Sequence, residues 1–92
     1  MPTENWIPAH VSVVLEARPV RIRMFREYKF PFVPTVGMEI SDNHFDGAKV
    51  TGVTWSMSND FFFVHIGTIK FEDPREVTEC SKGLLREGWK EE

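Results

Sequence analysis

Between residues 11 and 30 the chain alternates apolar and polar side chains. In VSVVLEA, Val11, Val13, Leu15 and Ala17 share one parity; in VRIRMFREYKF, Val20, Ile22, Met24, Tyr28 and Phe30 share another. A period of two marks strands with one buried face. A reversal around Ala17-Arg18-Pro19-Val20 sets Leu15 opposite Ile22, Val13 opposite Met24 and Glu16 opposite Arg21. The apolar residues then share one face, and the charges pair on the other. The φ of Pro19, fixed near −65°, conflicts with a tight primed turn, so a four-residue loop in the same register is expected. One long strand bent at Pro19 is the competing reading.

Phe30-Pro31-Phe32-Val33-Pro34 is extended, because each proline pushes the residue before it out of helical geometry. It should run along a sheet edge to a turn at Gly37, with Met38-Glu39-Ile40 as a short strand. Alternation returns in GAKVTGVTWSM and FFFVHIGTIKF. A hairpin tip at Asn59-Asp60 sets Met57 opposite Phe62, Trp55 opposite Val64, Val53 opposite Ile66 and Thr51 opposite Thr68. The other face would hold Ser56 with Phe63, Thr54 with His65, and Gly52 with Gly67. A one-residue slip would put His65 on the apolar face, so the pattern selects against it.

After Phe71 the period changes. Asp73-Pro74-Arg75-Glu76 reads as a helix start, with an acidic cap, proline first and glutamate three after the cap. Val77, Cys80 or Ser81, and Leu84 follow at helical spacing, and Gly88 can end the helix. The predicted helix spans 73–87; Gly83 weakens its middle by about 1 kcal/mol against alanine, which could end it at Lys82. Its apolar stripe and Trp89 should cover one face or open end of the sheet. Residues 1–10, with Pro2 and Pro8, read as an irregular lead-in pinned by Trp6 and Ile7.

These elements predict one domain, 1–92, mainly β: a small, twisted antiparallel barrel or roll, SH3-like or OB-like, of about five strands with a C-terminal helix. An open α+β sheet with the helix on one face is the alternative. Twelve aromatic residues, eight of them Phe, give so short a chain a workable core. The single cysteine, Cys80, excludes an internal disulfide framework and a cysteine-based zinc site. The chain lacks a long apolar run, and MPTENWIPAH lacks the basic start and apolar stretch of a secretion signal. No membrane span and a cytoplasmic location are therefore expected.

EISDNHFDG, residues 39–47, carries the densest candidate chemistry. Asp42, His44, Asp46 and Gly47 fit the first half of an EF-hand loop loosely. The twelfth position is Val53, which cannot coordinate, and no helix precedes Asp42. Asp42 and His44 could supply two ligands to a transition metal, but the spacing places no third beside them, neither His10 nor His65. A polar turn is the better reading, and neither a metal nor a cofactor is expected. Cys80 lies on the helix's apolar stripe, where cysteines are unreactive hydrophobes, and no catalytic motif accompanies it. A catalytic site is not expected.

Charge points elsewhere. Arg18, Arg21, Arg23, Arg26 and Lys29 are five of the eleven basic residues, although the net charge is −3. In the strand reading Arg21 and Arg23 face solvent, with Phe25 next and Lys29 beyond. Basic residues interleaved with an aromatic suit an acidic protein surface or single-stranded nucleic acid. The simpler account is a solvated strand part-neutralised by Glu16 and Glu27, which explains Phe25 poorly. Phe61 and Phe63 fall on the same face as His65, away from Phe62. The expected function is a non-catalytic protein-interaction or adaptor domain, or a homodimer, binding through Arg21, Arg23, Phe25 and Lys29. Single-stranded nucleic-acid binding by that face is the alternative.

Overall fold

The computed structural model describes residues 6–92. Six strands and a helix follow in the order β1 (Ile7–Ala17), β2 (Val20–Phe30), β3 (Glu39–Asp42), β4 (Phe45–Ser56), β5 (Phe61–Lys70), α1 (Pro74–Arg86) and β6 (Lys90–Glu91). They build one six-stranded sheet in the order β3-β4-β5-β1-β2-β6. The sheet is mixed: β1 and β5 run parallel, and the other neighbours antiparallel. The expected barrel is therefore corrected to an open sheet backed by a helix. Closure fails at β2, whose outer edge is taken by β6 through Met24–Glu91 and Phe25–Lys90. Pro31 and Pro34, just beyond β2, have no N–H with which to extend a ladder.

The β1–β2 register is the one the alternation predicts, with Leu15 opposite Ile22, Val13 opposite Met24 and Glu16 opposite Arg21. The turn is shorter than expected. Arg18 and Pro19 alone connect the strands, with a cis bond between them, the geometry of a type VI turn. Strand β1 also begins at Ile7, so residues 7–10 are strand and not lead-in; residues 1–5 of that lead-in lie outside the described residues.

Over residues 52–56 the second hairpin keeps its predicted faces but slides by two residues; beyond the bulge parity reverses, so Val50 is buried and Thr51, expected on the apolar face, is exposed. Trp55 faces Phe62, Val53 faces Val64, Thr54 faces Phe63 and Gly52 faces His65. Both facings preserve parity, so alternation could not distinguish them. The slide leaves residues 57–60 as the loop, with Asp60 at φ 56°. A bulge between Val50 and Gly52 and another in the β1–β5 ladder disrupt the pairing near Gly67. The predicted Gly52–Gly67 facing does not form.

Within the polar turn expected over residues 39–47, the β3–β4 reversal falls on Asn43 and His44. Asp46 and Gly47 form a bulge in β4. Gly47 has φ 62°, Ser41 Oγ donates to Asp46 Oδ1 at 2.7 Å, and Gly47 N–H donates to Ser41 Oγ. This lets Phe45 turn inward onto Trp89, ring edge to ring face at 6.0 Å.

Helix α1 starts as its sequence predicts: Asp73 accepts from the Arg75 N–H at 2.9 Å, with Pro74 in the first position. It continues past Lys82 to Arg86, and Gly88 follows at φ 97°. Val77, Cys80, Ser81, Gly83 and Leu84 are its buried face. They meet Val11, Val13, Leu15, Met24, Val50, Val64 and Ile66 in a single core, closed at one end by Phe45 and Trp89. Each large side chain buried there contributes roughly 1.5–3 kcal/mol relative to exposure.

Candidate functional site

Helix α1 packs on one face of the sheet, and Ile40 and Phe45 of the β3–β4 hairpin join the core on that side. No described helix or strand lies over the opposite face. Its central rows follow from the register: Phe25–Ser12–His65–Gly52, then Glu27–His10–Phe63–Thr54, with Phe61 and Ser56 beyond. The His10 ring stacks on Phe25 at 5.0 Å and 15°. Phe63 lies 5.4 Å from His10, and Phe61 lies 5.0 Å from Phe63. His10 Nδ1 also meets Glu27 Oε1 at 3.3 Å. Ser12 Oγ and His65 Nδ1 hydrogen-bond at 2.7 Å. The result is a half-buried aromatic patch centred on a histidine, which sequence reasoning saw only as Phe25, Phe61 and Phe63 separately.

The four binding residues expected from sequence share this face but differ in state. Arg21 reaches Glu16 Oε2 at 3.9 Å and Arg23 reaches Glu92 Oε2 at 3.5 Å. Lys29 is exposed and forms no ion pair among the described residues. Phe25 is half-buried beneath His10 rather than free. Glu27, expected to neutralise the arginines, turns to His10 instead. The face is thus an apolar centre with a charge-paired rim along β2.

A cleft of about 510 Å³ opens on the helix side, between the end of β2 and the β3–β4 hairpin. Tyr28, Phe30, Phe32, Phe45 and Trp89 give it an aromatic lining, with Arg26 on one wall and Glu39 and Asp42 on the other strands. The Arg26 guanidinium is held 5.6 Å from the centre of the Tyr28 ring.

The chemistry of residues 39–47 is also regrouped. The β3–β4 turn folds onto the C-terminal half of α1. Asn43 Nδ2 donates to Glu87 Oε1 at 3.0 Å, His44 Nε2 lies 3.4 Å from the same oxygen, and Trp89 Nε1 donates to Asp42 Oδ2 at 3.4 Å. Asp42, His44 and Glu87 bring ligand-type atoms within 4.8 Å of one another. Glu87 is the third corner that sequence spacing did not place; it lies 43 positions beyond His44, in a helix cap. Asp46 points into the bulge and takes no part. The Asn43 amide holds the Glu87 carboxyl below its ordinary range, with smaller help from Asp42 and His44.

Cys80 is buried beneath this turn, its Sγ donating to the His44 carbonyl at 3.4 Å. Burial, and then the charge of Asp42, push its thiol pKa up. It is a protonated packing residue, as its place on the helix stripe predicts.

Among the described residues, no helix is long and apolar enough to cross a membrane. Comparison with protein-family models, with curated proteins and with solved structures finds no match to this chain.

Proposed function

We propose that this chain is a non-catalytic interaction domain that binds a protein partner through the open face of its sheet. The observation that carries the reading is the cluster of Phe25, His10, Phe61 and Phe63 on the face that α1 leaves uncovered. An apolar centre ringed by charge is the anatomy of a protein interface: the centre supplies burial, and rim charges steer and register the partner. Lys29, exposed and outside any ion pair among the described residues, is the rim group most open to a partner's carboxylates.

Two features favour protein over single-stranded nucleic acid. A phosphate backbone would have to displace Glu16 from Arg21 and Glu92 from Arg23. A base stacking on Phe25 would have to displace His10. The Ser12–His65 pair is short enough for proton transfer, but no carboxylate among the described residues pairs with His65 to orient it as a base.

Affinity capture with the full chain, followed by the same capture with Phe25→Ser and Arg23→Glu, tests the reading. Both variants should lose the partner while keeping the wild-type circular dichroism spectrum. Light scattering against concentration shows whether the partner is a second copy. Capture unaffected by either substitution sinks the proposal, as does single-stranded oligonucleotide binding that weakens steeply with salt.

A further inference from the structure

We propose that Asp42, His44 and Glu87 bind a divalent first-row transition metal of the zinc type, at the seam between the β3–β4 turn and the end of α1. The site is separate from the open sheet face and independent of the function assigned to it.

The geometry suits such an ion. One imidazole nitrogen and two carboxylates gather within 4.8 Å. Ligands at zinc distances in a tetrahedral site stand about 3.5 Å apart. His44 Nε2 and Glu87 Oε1 already stand 3.4 Å apart, and a ligand oxygen of Asp42 lies within 4.8 Å of them. Three protein ligands leave a position for water. The imidazole disfavours calcium and magnesium, which prefer all-oxygen shells.

A cation would also resolve an arrangement that is otherwise awkward. The Asp42 and Glu87 carboxyl groups bring oxygens within 4.8 Å of each other. Two carboxylates that close repel unless a proton or a cation lies between them. Among the described residues neither forms an ion pair with lysine or arginine, and His44 is the basic group that meets Glu87.

The surroundings hold the three groups in place. Trp89 Nε1 donates to Asp42, and Asn43 Nδ2 donates to Glu87. The His44 ring is backed by Gly83, where a Cβ would stand 2.5 Å from Cε1 and Nδ1. Carboxylates steadied by neutral donors and an imidazole fixed by packing are what metal sites use to orient their ligands. Because Asp42 and His44 come from the hairpin and Glu87 from the helix cap, a bound ion would pin the two together.

The test uses the full chain, stripped with a chelator and titrated with zinc by calorimetry, and with cobalt by absorption spectroscopy. One ion per chain should bind, the melting temperature should rise with free zinc, and cobalt should show ligand-field bands of a low-coordinate site. Glu87→Gln keeps an acceptor for Asn43 and should fold; it and His44→Ala should each weaken binding at least about tenfold. His10→Ala, His65→Ala and Asp46→Asn should leave binding unchanged. Absence of zinc binding by the folded wild-type chain overturns the proposal. So does binding that survives Glu87→Gln, or that is lost in His10→Ala or His65→Ala.

Discussion

The His44 ring lies against the α-carbon of Gly83, so close that a Cβ at residue 83 would stand 2.5 Å from two of its atoms. A glycine in the middle of a helix normally costs about 1 kcal/mol against alanine. Here it makes room for the β3–β4 turn to dock, and its helix-weakening reading is inverted by a contact 39 positions away in sequence.

Gly83→Ala should therefore destabilise the fold, by about 1–3 kcal/mol, the cost of overpacking, instead of stabilising it. Adding His44→Ala should recover most of that loss, since the helix then keeps its better residue without the clash. Urea denaturation of the two single variants and the double variant reads the coupling. Additive effects would exclude the contact as the cause.

Acid should loosen the helix at both ends. The Arg75 side chain, then its N–H, holds the Asp73 carboxyl below the ordinary aspartate value of 3.8. Asn43 chiefly holds Glu87 below 4.5. Both groups release protons more readily in the folded state, so their contribution is full above those values and fades as pH falls through the lower folded ones. With a chelator present, the denaturation midpoint should begin to fall below about pH 4.5. Asp73→Asn and Glu87→Gln should each make that fall shallower; a slope unchanged in both variants would refute this assignment.

Cys80 should resist thiol reagents until the chain unfolds. It is 8% exposed, and its thiol pKa is raised. Modification at neutral pH should be at least about a hundredfold slower in the native protein than in urea, tracking opening of the fold. Rapid native labelling would mean that the turn over Cys80 opens freely.

Removing the rim arginines should barely change stability. Arg21 and Arg23 are more than half exposed, and exposed ion pairs are worth about 0–1 kcal/mol. Arg21→Ala and Arg23→Ala should each shift the unfolding free energy by less than about 1 kcal/mol. Partner capture should fall for Arg23→Ala nonetheless, which would separate a binding role from a folding one.

What could be read from the chain follows the range of each signal. Alternation along β1 and β2 set their faces and register because the strands are neighbours in the chain, and the reversal near Pro19 that gathers the apolar residues also pairs Glu16 with Arg21. The start of α1 was legible for the same reason: Asp73, Pro74 and Glu76 act within one turn. In β4 and β5 parity was legible but register was not. A slide of two residues keeps residues 52–56 on their faces, and the bulges beside Gly52 and Gly67 set the register and reverse the faces beyond them.

The candidate sites divide along the same line. Arg21, Arg23, Phe25 and Lys29 share a strand face by period alone, so the chain by itself assigned them to one surface. Pairing of the arginines with Glu16 and Glu92, stacking of His10 on Phe25, and the meeting of Asp42 and His44 with Glu87 were decided only by the tertiary structure. Whether the sheet closed was decided there too, when β6 took the edge of β2. The physical reason is common to all of these. Periodicity and capping are set by neighbouring residues, whereas contacts between distant segments depend on how the sheet orders its strands and where the helix lies upon it.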